Sequence, residues 1–303
     1  MKPTIGVRVP ATTANLGSGF DALGLALTLY NEVYFTEDDG AAVRVEIEGL
    51  GKESIPDGFA DNMVGKAMVR AAAVNGGKLP KSGILHLVNR IPVARGLGSS
   101  SAALVGGIIL GNVLTGNGMD RQTMLNLANE MEGHPDNVAP AFCGGLCMSV
   151  LDGGNPVTQR VPLGEELSFI TVSPSLEVST EQARAVLPQT LPYKDGVFNV
   201  SRVAFLVTAF MNKQYDNIRY GLEDRLHMPY RLPLIPGGER ALQAAVEAGA
   251  LGATVSGSGS TVIAFATDHE EDIRKAMETA FSDAGFTSAG HILKACNEGA
   301  KRI

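Results

Sequence analysis

A segment rich in glycine and serine, Pro92-Val-Ala-Arg-Gly-Leu-Gly-Ser-Ser-Ser-Ala102, has the composition of a phosphate-binding loop. Gly96 and Gly98 allow a ligand to approach the backbone closely, because no Cβ blocks it and positive φ is allowed. The charge-free stretch that follows, 102–114, is long enough for a helix. A glycine-rich turn before a helix presents unpaired N–H groups and the positive end of the dipole to an anion. The segment therefore predicts phosphate binding, with the serine hydroxyls available to cap the helix, touch phosphate or ligate Mg²⁺.

Two better-known nucleotide loops are excluded by the residues at their key positions. A Walker A loop needs Gly-Lys followed by Ser or Thr, but the Gly-Lys pairs here precede Glu53, Ala67 and Leu79. The dinucleotide fingerprint fails because Ser101 stands where its third glycine should be. An NAD-dependent dehydrogenase is therefore disfavoured. Taken alone, the segment is also consistent with a glycine-serine turn that caps a core helix.

Two further segments have a similar composition: Pro10-Ala-Thr-Thr-Ala-Asn-Leu-Gly-Ser-Gly-Phe-Asp21 and Gly252-Ala-Thr-Val-Ser-Gly-Ser-Gly-Ser-Thr261. Together the three resemble the GHMP family of small-molecule kinases, in which they are the substrate motif, the phosphate loop and the C-terminal glycine motif. The segment 10–21, which is the first of the three in the chain and is called the first segment below, resembles that of the homoserine kinases within the family. Glu132-Gly-His-Pro-Asp-Asn137-Val-Ala-Pro140 and Leu226-His-Met-Pro-Tyr-Arg231 agree with this resemblance. The segments follow the family's order, so the resemblance covers nearly the whole chain.

This resemblance implies an α+β fold of two domains with the active site in the cleft between them. Residues 1–155 would form an N-terminal ATP-binding kinase domain that contains the glycine-rich phosphate loop, and residues 156–303 a C-terminal ferredoxin-like domain. The implied activity is ATP-dependent phosphorylation of the side-chain hydroxyl of L-homoserine to O-phospho-L-homoserine, a step towards threonine. ATP and L-homoserine are then the expected partners. Mg²⁺ is the expected cofactor, without a tightly bound organic cofactor, and a homodimer is left open.

The resemblance also implies which residues bind the two substrates. For ATP, the expected residues are Asn62, Pro92, Val93, Ala94, Arg95, Gly96, Leu97, Gly98, Ser99, Ser100, Ser101 and Ala102. For homoserine, they are Asn15, Asp21, Asn137, Arg184 and Arg231. Asp21 would pair with the ammonium group, while the guanidinium forks of Arg184 and Arg231 would bind the carboxylate. The alternative is that both arginines lie on the surface and that Asn15 and Asp21 are turn residues.

Metal binding and catalysis are expected at four polar side chains. Ser100 and Glu130 would ligate Mg²⁺, which prefers hard oxygen ligands. Glu132 is the alternative carboxylate, and both glutamates are also consistent with a solvated helix end. Asp136 would act as the general base beside Asn137, or it would cap a helix that contains Val138 and Ala139.

The composition limits the other classes of function. The chain has 303 residues, 45% of them hydrophobic and 19% charged, which is typical of a globular protein. Its net charge of −7 argues against nucleic-acid binding. The first residues lack the apolar core of a signal peptide, and the uncharged stretch 96–119 contains too many glycines and serines to favour a membrane span. We therefore expect a cytoplasmic protein in which Cys143, Cys147 and Cys296 are small buried side chains.

Periodicity predicts helices and strands in both halves of the chain. The predicted strands are 5–9, 31–36, 43–47, 84–88, 144–151, 167–172, 253–256, 262–266 and 292–295. The predicted helices are 63–74, 99–114, 122–131 with Asp120 as N-cap, 180–187, 200–211, 238–248 and 270–284. Asp152-Gly-Gly-Asn-Pro156 is predicted to be a linker.

Two other functions compete with phosphorylation of homoserine. Other GHMP kinases act on mevalonate, phosphomevalonate or galactose, but their first motif differs from Thr13-Ala14-Asn15. A non-catalytic nucleotide-binding regulator on the same scaffold is disfavoured, because a regulator need not keep metal-binding and phosphate-binding groups together.

Overall fold

The computed structural model describes residues 3–303, which form a seven-stranded and a four-stranded β-sheet flanked by helices. The strands are β1 Ile5–Ala14, β2 Leu23–Glu37, β3 Val43–Gly49, β4 Gly83–Asn89, β5 Leu146–Asp152, β6 Asn155–Val161, β7 Ser168–Pro174, β8 Gly252–Val255, β9 Val262–Ala266, β10 Ser288–Leu293 and β11 Lys301–Arg302. The helices are α1 Met63–Val74, α2 Ser99–Leu114, α3 Arg121–Glu132, α4 Pro135–Cys143, α5 Thr180–Ala185, α6 Tyr193–Met211, α7 Ile218–Gly221, α8 Met228–Arg231, α9 Gly238–Glu247 and α10 Glu270–Asp283.

The first sheet has the strand order β11-β1-β2-β4-β3, and β5 pairs with the beginning of β2 and with β6. Among the described strands of this sheet, only β3 and β4 form a parallel pair. Helix α2 packs against α1 and β1, and α4 packs against β1 and β2. This arrangement brings the beginnings of α2 and α4 to the first segment, which forms the end of β1 and the turn into β2.

The second sheet is antiparallel and has the order β10-β7-β9-β8. Strand β7, helix α9, strands β8 and β9, helix α10 and strand β10 form the ferredoxin-like βαββαβ pattern, with α5–α8 inserted after β7. Side chains of β7 alternate between two apolar cores. Phe169 packs with the core of the first sheet, whereas Ile170 and Val172 pack against α9 and α10. The two-domain α+β fold is therefore confirmed.

The predicted linker at 152–156 is instead the turn of a β-hairpin. Asp152 pairs with Asn155, and Gly153 and Gly154 adopt positive φ between them. The sequence does not distinguish the two because glycine and asparagine favour both linkers and hairpin turns. Strand β6 therefore carries the first sheet beyond residue 155 to Val161, and β11 returns to the same sheet near the end of the chain.

Most of the other predicted elements are present with shifted ends. Asp120 accepts a hydrogen bond from the Thr123 backbone N–H and is the N-cap of α3, as predicted. Strand β2 begins eight residues before the predicted position, at Leu23 rather than Asn31. Within residues 3–303, no helix is both long and apolar enough to cross a membrane.

Candidate active site

A cavity of about 540 Å³ is lined by residues from all three glycine-serine segments. One part of its wall is mainly apolar, and Ile55, Pro56, Met63, Val64 and Val93 contribute to it. Another part is charged and consists of Asp21, Glu132, His134, Asp136, Arg184 and Arg231. The cavity thus has surfaces suited to an apolar ring and to a small charged molecule.

The phosphate loop is fixed by close contacts with the other two segments. Gly96 and Gly98 have φ of 77° and 67°. A Cβ on Gly96 would lie 2.2 Å from the Ser256 carbonyl oxygen, and one on Gly98 would lie 1.9 Å from Thr12 Oγ1. The backbone N–H of Thr12 also donates to the Leu97 carbonyl oxygen over 3.1 Å. Both glycines are therefore required by backbone conformation and by space.

The beginning of α2 presents two serine hydroxyls to one carboxylate. Ser100 Oγ and Ser101 Oγ donate to Glu132 Oε1 over 3.0 Å and 2.8 Å. The N-cap of α2 is Gly98, which receives no side-chain cap, so these serines do not cap the helix. Glu132, the last residue of α3, thereby brings carboxylate oxygens to the phosphate loop.

The first segment holds its polar side chains by contacts across the cleft. Asn15 Nδ2 donates to the Gly257 carbonyl oxygen over 2.8 Å, and Asn15 Oδ1 accepts from the Asp21 backbone N–H over 3.0 Å. The Asp21 carboxylate accepts two hydrogen bonds from the Arg184 guanidinium, over 3.0 Å and 3.2 Å. Asp21 and Arg184 thus form a bidentate ion pair in which both side chains are 39% exposed.

Arg231 lies in the cavity wall and is only 2% exposed. Its Nε donates to the Ala183 carbonyl oxygen over 3.1 Å, and its Nη1 donates to that of Gly257 over 3.2 Å. The guanidinium also lies over the Phe20 ring, with Cζ 4.9 Å from the centroid. Burial, followed by the nearby positive charge of Arg184, lowers the pKa of Arg231. An anion bound beside it would offset this cost of burial.

Asp136 is 3% exposed and lies in the first turn of α4. Its Oδ1 lies 2.6 Å from His134 Nδ1 and accepts from Asn137 Nδ2 over 3.3 Å. Thr12 Oγ1 donates to Asn137 Oδ1 over 2.7 Å, which connects this group to the phosphate loop. The N-cap of α4 is His134, not Asp136, so the alternative role of Asp136 as an N-cap is wrong.

The contact with Asp136 shifts the pKa of the His134 side chain. Its hydrogen bond to Asp136 raises the pKa of His134 against the opposing effect of burial. The pair's contribution to the free energy of unfolding is therefore complete below about pH 6.5 and is lost as the pH rises through the raised folded-state pKa. We expect an NMR titration to place His134 above the ordinary histidine pKa and Asp136→Asn to lower it. An unchanged His134 pKa in that variant would contradict this assignment.

Both halves of the chain match family models: the GHMP kinases N terminal domain over residues 62–145 and the GHMP kinases C terminal domain over residues 206–283. The homoserine kinase of Persephonella marina is 42% identical over 97% of this chain and 96% of its own length. That of Moorella thermoacetica is 45% identical over 97% and 98% of the two chains. The chain belongs to the homoserine kinase family of GHMP kinases.

Solved structures agree with this assignment. The crystal structure of homoserine kinase from Cytophaga hutchinsonii has a TM-score of 0.90 and 31% identity, and the match covers 100% of this chain and 98% of that one. Galactokinase from Lactococcus lactis, in a complex with galactose, is 16% identical with a TM-score of 0.76 over 100% of this chain and 96% of its own, and shows the shared fold alone. Membership of this kinase family implies ATP together with a divalent cation.

The structure brings most of the expected nucleotide-binding residues of this GHMP kinase to the cavity. Those that line it are Asn62, Val93, Ala94, Arg95, Gly96, Gly98, Ser99 and Ser100. Pro92, Leu97, Ser101 and Ala102 do not line it. Asn62 also has a structural role, since its Oδ1 caps α1 by accepting from the Val64 backbone N–H. The Arg95 side chain donates to the Pro174 carbonyl oxygen over 3.1 Å and pairs with Glu177.

The expected metal carboxylate, Glu130, does not lie beside Ser100. Its Oε1 accepts from Arg70 Nη2 over 2.6 Å on the exposed surface, and Glu132 occupies the position next to Ser100. Residues two apart point to nearly opposite sides of a helix, so only one of these glutamates can face α2. Glu132, the alternative carboxylate, is therefore the one that lies beside Ser100.

All five residues expected to bind homoserine lie in one region. Asn15, Asp21, Asn137, Arg184 and Arg231 line the cavity. The sequence did not predict that Asp21 and Arg184 pair with each other. It also missed Thr12, although this residue lies in the first segment, and Lys66, which lines the cavity one turn after Asn62.

Proposed function

We propose that this protein transfers the γ-phosphate of ATP to the side-chain hydroxyl of L-homoserine and forms O-phospho-L-homoserine, on the way to threonine. The observation that supports it most is the charged wall of Asp21, Arg184 and Arg231, which lies in the same cavity as the phosphate loop. A zwitterionic amino acid carries one group for each sign of charge. Full-length similarity to homoserine kinases supports the same substrate.

ATP fits the division of the cavity into apolar and polar surfaces. Adenine would lie against Ile55, Val64 and Val93, beside the N-terminus of α1. The phosphates would extend along Gly96–Ser100, where backbone N–H groups and the N-terminus of α2 favour negative charge. Lys66 is exposed and lines the same cavity, so its ammonium group adds a positive charge for the nucleotide.

Ser100 and Glu132 fit a Mg²⁺ site. They supply hard oxygen ligands, and Glu132 Oε1 already lies 3.0 Å from Ser100 Oγ. Residues 3–303 contain no group of three acidic, histidine or cysteine side chains that could hold a metal. One carboxylate and one hydroxyl, completed by phosphate oxygens and water, are typical of Mg²⁺ in kinases. When bound there, Mg²⁺ would neutralise charge that develops on the transferred phosphoryl group.

The acceptor would be oriented by charge at one end and by hydrogen bonds at the other. Its ammonium group would pair with Asp21, and its carboxylate with Arg184 and Arg231. Its hydroxyl would lie at Asn137 and Asp136. Asp136 would accept the hydroxyl proton on a carboxylate oxygen as the phosphoryl group transfers, while His134 and Asn137 keep that carboxylate in place.

A coupled assay of ADP release tests the function directly. Purified protein with Mg²⁺-ATP is given homoserine, threonine, mevalonate or galactose in separate reactions. We expect turnover with homoserine and no comparable turnover with mevalonate or galactose. Phosphorylation of mevalonate or galactose without that of homoserine would reject the substrate, and ATP binding without turnover of any acceptor would favour a regulator.

Arg231→Lys is expected to raise KM for homoserine more than KM for ATP. Lysine keeps the positive charge but loses the guanidinium fork, and a charge-assisted hydrogen bond contributes about 1.5–3 kcal/mol, or on the order of ten- to a hundredfold in apparent affinity. Arg225→Lys is the matched control, because Arg225 pairs with Asp195 and does not line the cavity. Equal weakening of both substrates by Arg231→Lys would indicate a purely structural arginine.

We also propose that the protein acts in the cytoplasm, which its composition and its family support. The absence of a tightly bound organic cofactor stays a prediction, as does the lack of nucleic-acid and membrane partners.

A further inference from the structure

We propose that the amino-acid acceptor reaches its site through a second cavity, separated from the nucleotide cavity by the Asp21–Arg184 ion pair, which opens as the acceptor passes. This inference rests on the proposed function. It concerns how the acceptor enters and is first recognised, which the residues around the reacting groups do not determine.

The second cavity has a volume of about 490 Å³ and adjoins the first. The two cavities share five residues: Asp21, Glu132, His134, Thr180 and Arg184. The remaining residues of the second cavity are Gly133, Pro135, Ser149 and Leu151, none of which lines the first. The ion pair therefore lies in a wall that both cavities have in common.

A second path would let the acceptor enter while a nucleotide occupies the first cavity. In the proposed arrangement, ATP occupies the first cavity from the apolar wall to the loop at Gly96–Ser100. Its γ-phosphate then lies between that part of the cavity and the acceptor groups Asp136 and Asn137. An acceptor that arrives after ATP through the first cavity would have to pass the nucleotide, whereas the second cavity adjoins the acceptor region at His134 and Pro135, next to Asp136 in the chain.

The charges of the shared wall suit a zwitterion. Asp21 and Arg184 use both carboxylate oxygens and two guanidinium nitrogens on each other, so neither is ready for a substrate. Both side chains are 39% exposed, and exchange of a solvated ion pair for two equivalent pairs costs little. An amino acid provides an ammonium group for Asp21 and a carboxylate for Arg184. An acceptor with only one charge leaves one of the two without a partner.

Strand β5 provides a test that leaves the reaction centre intact. Leu151 lines the second cavity and is 54% exposed, while its neighbour Val150 is 67% exposed and lines neither cavity. Successive side chains of a strand point to opposite faces, so Val150 is a matched control for bulk on the same strand. Leu151→Trp narrows the second cavity, Leu151→Ala widens it, and Val150→Trp adds the same ring on the other face.

We expect Leu151→Trp to lower kcat/KM for homoserine several-fold at saturating ATP, with KM for ATP and the melting temperature unchanged. Leu151→Ala should keep or raise kcat/KM for homoserine, and Val150→Trp should match the wild type. Unaltered homoserine kinetics in folded Leu151→Trp, an equal loss for ATP, or an equal loss in Val150→Trp would overturn the path. Failure of the proposed function is distinguishable, because the wild type would then not phosphorylate homoserine at all.

Discussion

Glu132→Gln is expected to lower kcat by roughly 10²–10³-fold, the range found when one electrostatic stabiliser of a transition state is removed. Glutamine keeps the size of the side chain and still accepts hydrogen bonds from Ser100 and Ser101, so the fold should survive. The charge that would hold Mg²⁺ is lost. Activity should therefore require a higher Mg²⁺ concentration, which a magnesium titration of the initial rate measures.

Glu130→Gln is the matched control for this prediction. It makes the same chemical change two residues earlier on α3, where the carboxylate pairs with Arg70 at the surface. An exposed ion pair contributes little to stability, so both rate and folding should stay near those of the wild type. A large loss of activity in Glu130→Gln with a near-normal Glu132→Gln would return the metal site to Glu130.

Asp136→Asn is expected to lower kcat by roughly 10²–10⁴-fold, the usual contribution of a general base. The carboxylate lies beside Asn137 and accepts hydrogen bonds on Oδ1, which leaves Oδ2 for the acceptor hydroxyl. Asparagine has nearly the same shape but cannot take up the proton. Single-turnover measurements at saturating ATP and homoserine isolate this step from binding.

His134→Gln separates proton transfer from positioning at the same site. Because His134 orients the Asp136 carboxylate but would not take the proton, its loss should shift the pH profile of kcat and reduce kcat less than Asp136→Asn does. A near-native kcat in folded Asp136→Asn would reject the base and leave catalysis to positioning, the metal ion and the phosphate loop.

The glycine turn at residues 96–98 and the helix after it could be predicted from the sequence because the relevant information is local. Gly96 and Gly98 are needed for a backbone conformation, and the serines that follow begin a helix. The sequence cannot choose between Glu130 and Glu132, since helical periodicity fixes their relative directions but not which one faces α2. It also cannot show the Asp21–Arg184 pair, whose members lie 163 residues apart and meet only through the packing of the two domains. The hairpin at Gly153 and Gly154 was missed because the same residue types form linkers.

The return of β11 to the first sheet has a mechanical consequence. The chain crosses between the two sheets once after Val161 and again after Leu293, so two tethers join the domains. The two domains also share an apolar core, in which Phe169, Phe210 and Phe265 pack with side chains of the first sheet. Separation of the two sheets would expose these rings to water, at a cost of about 25 cal/mol for each Å² of apolar surface. The two tethers and the shared core therefore resist separation of the two walls of the cleft.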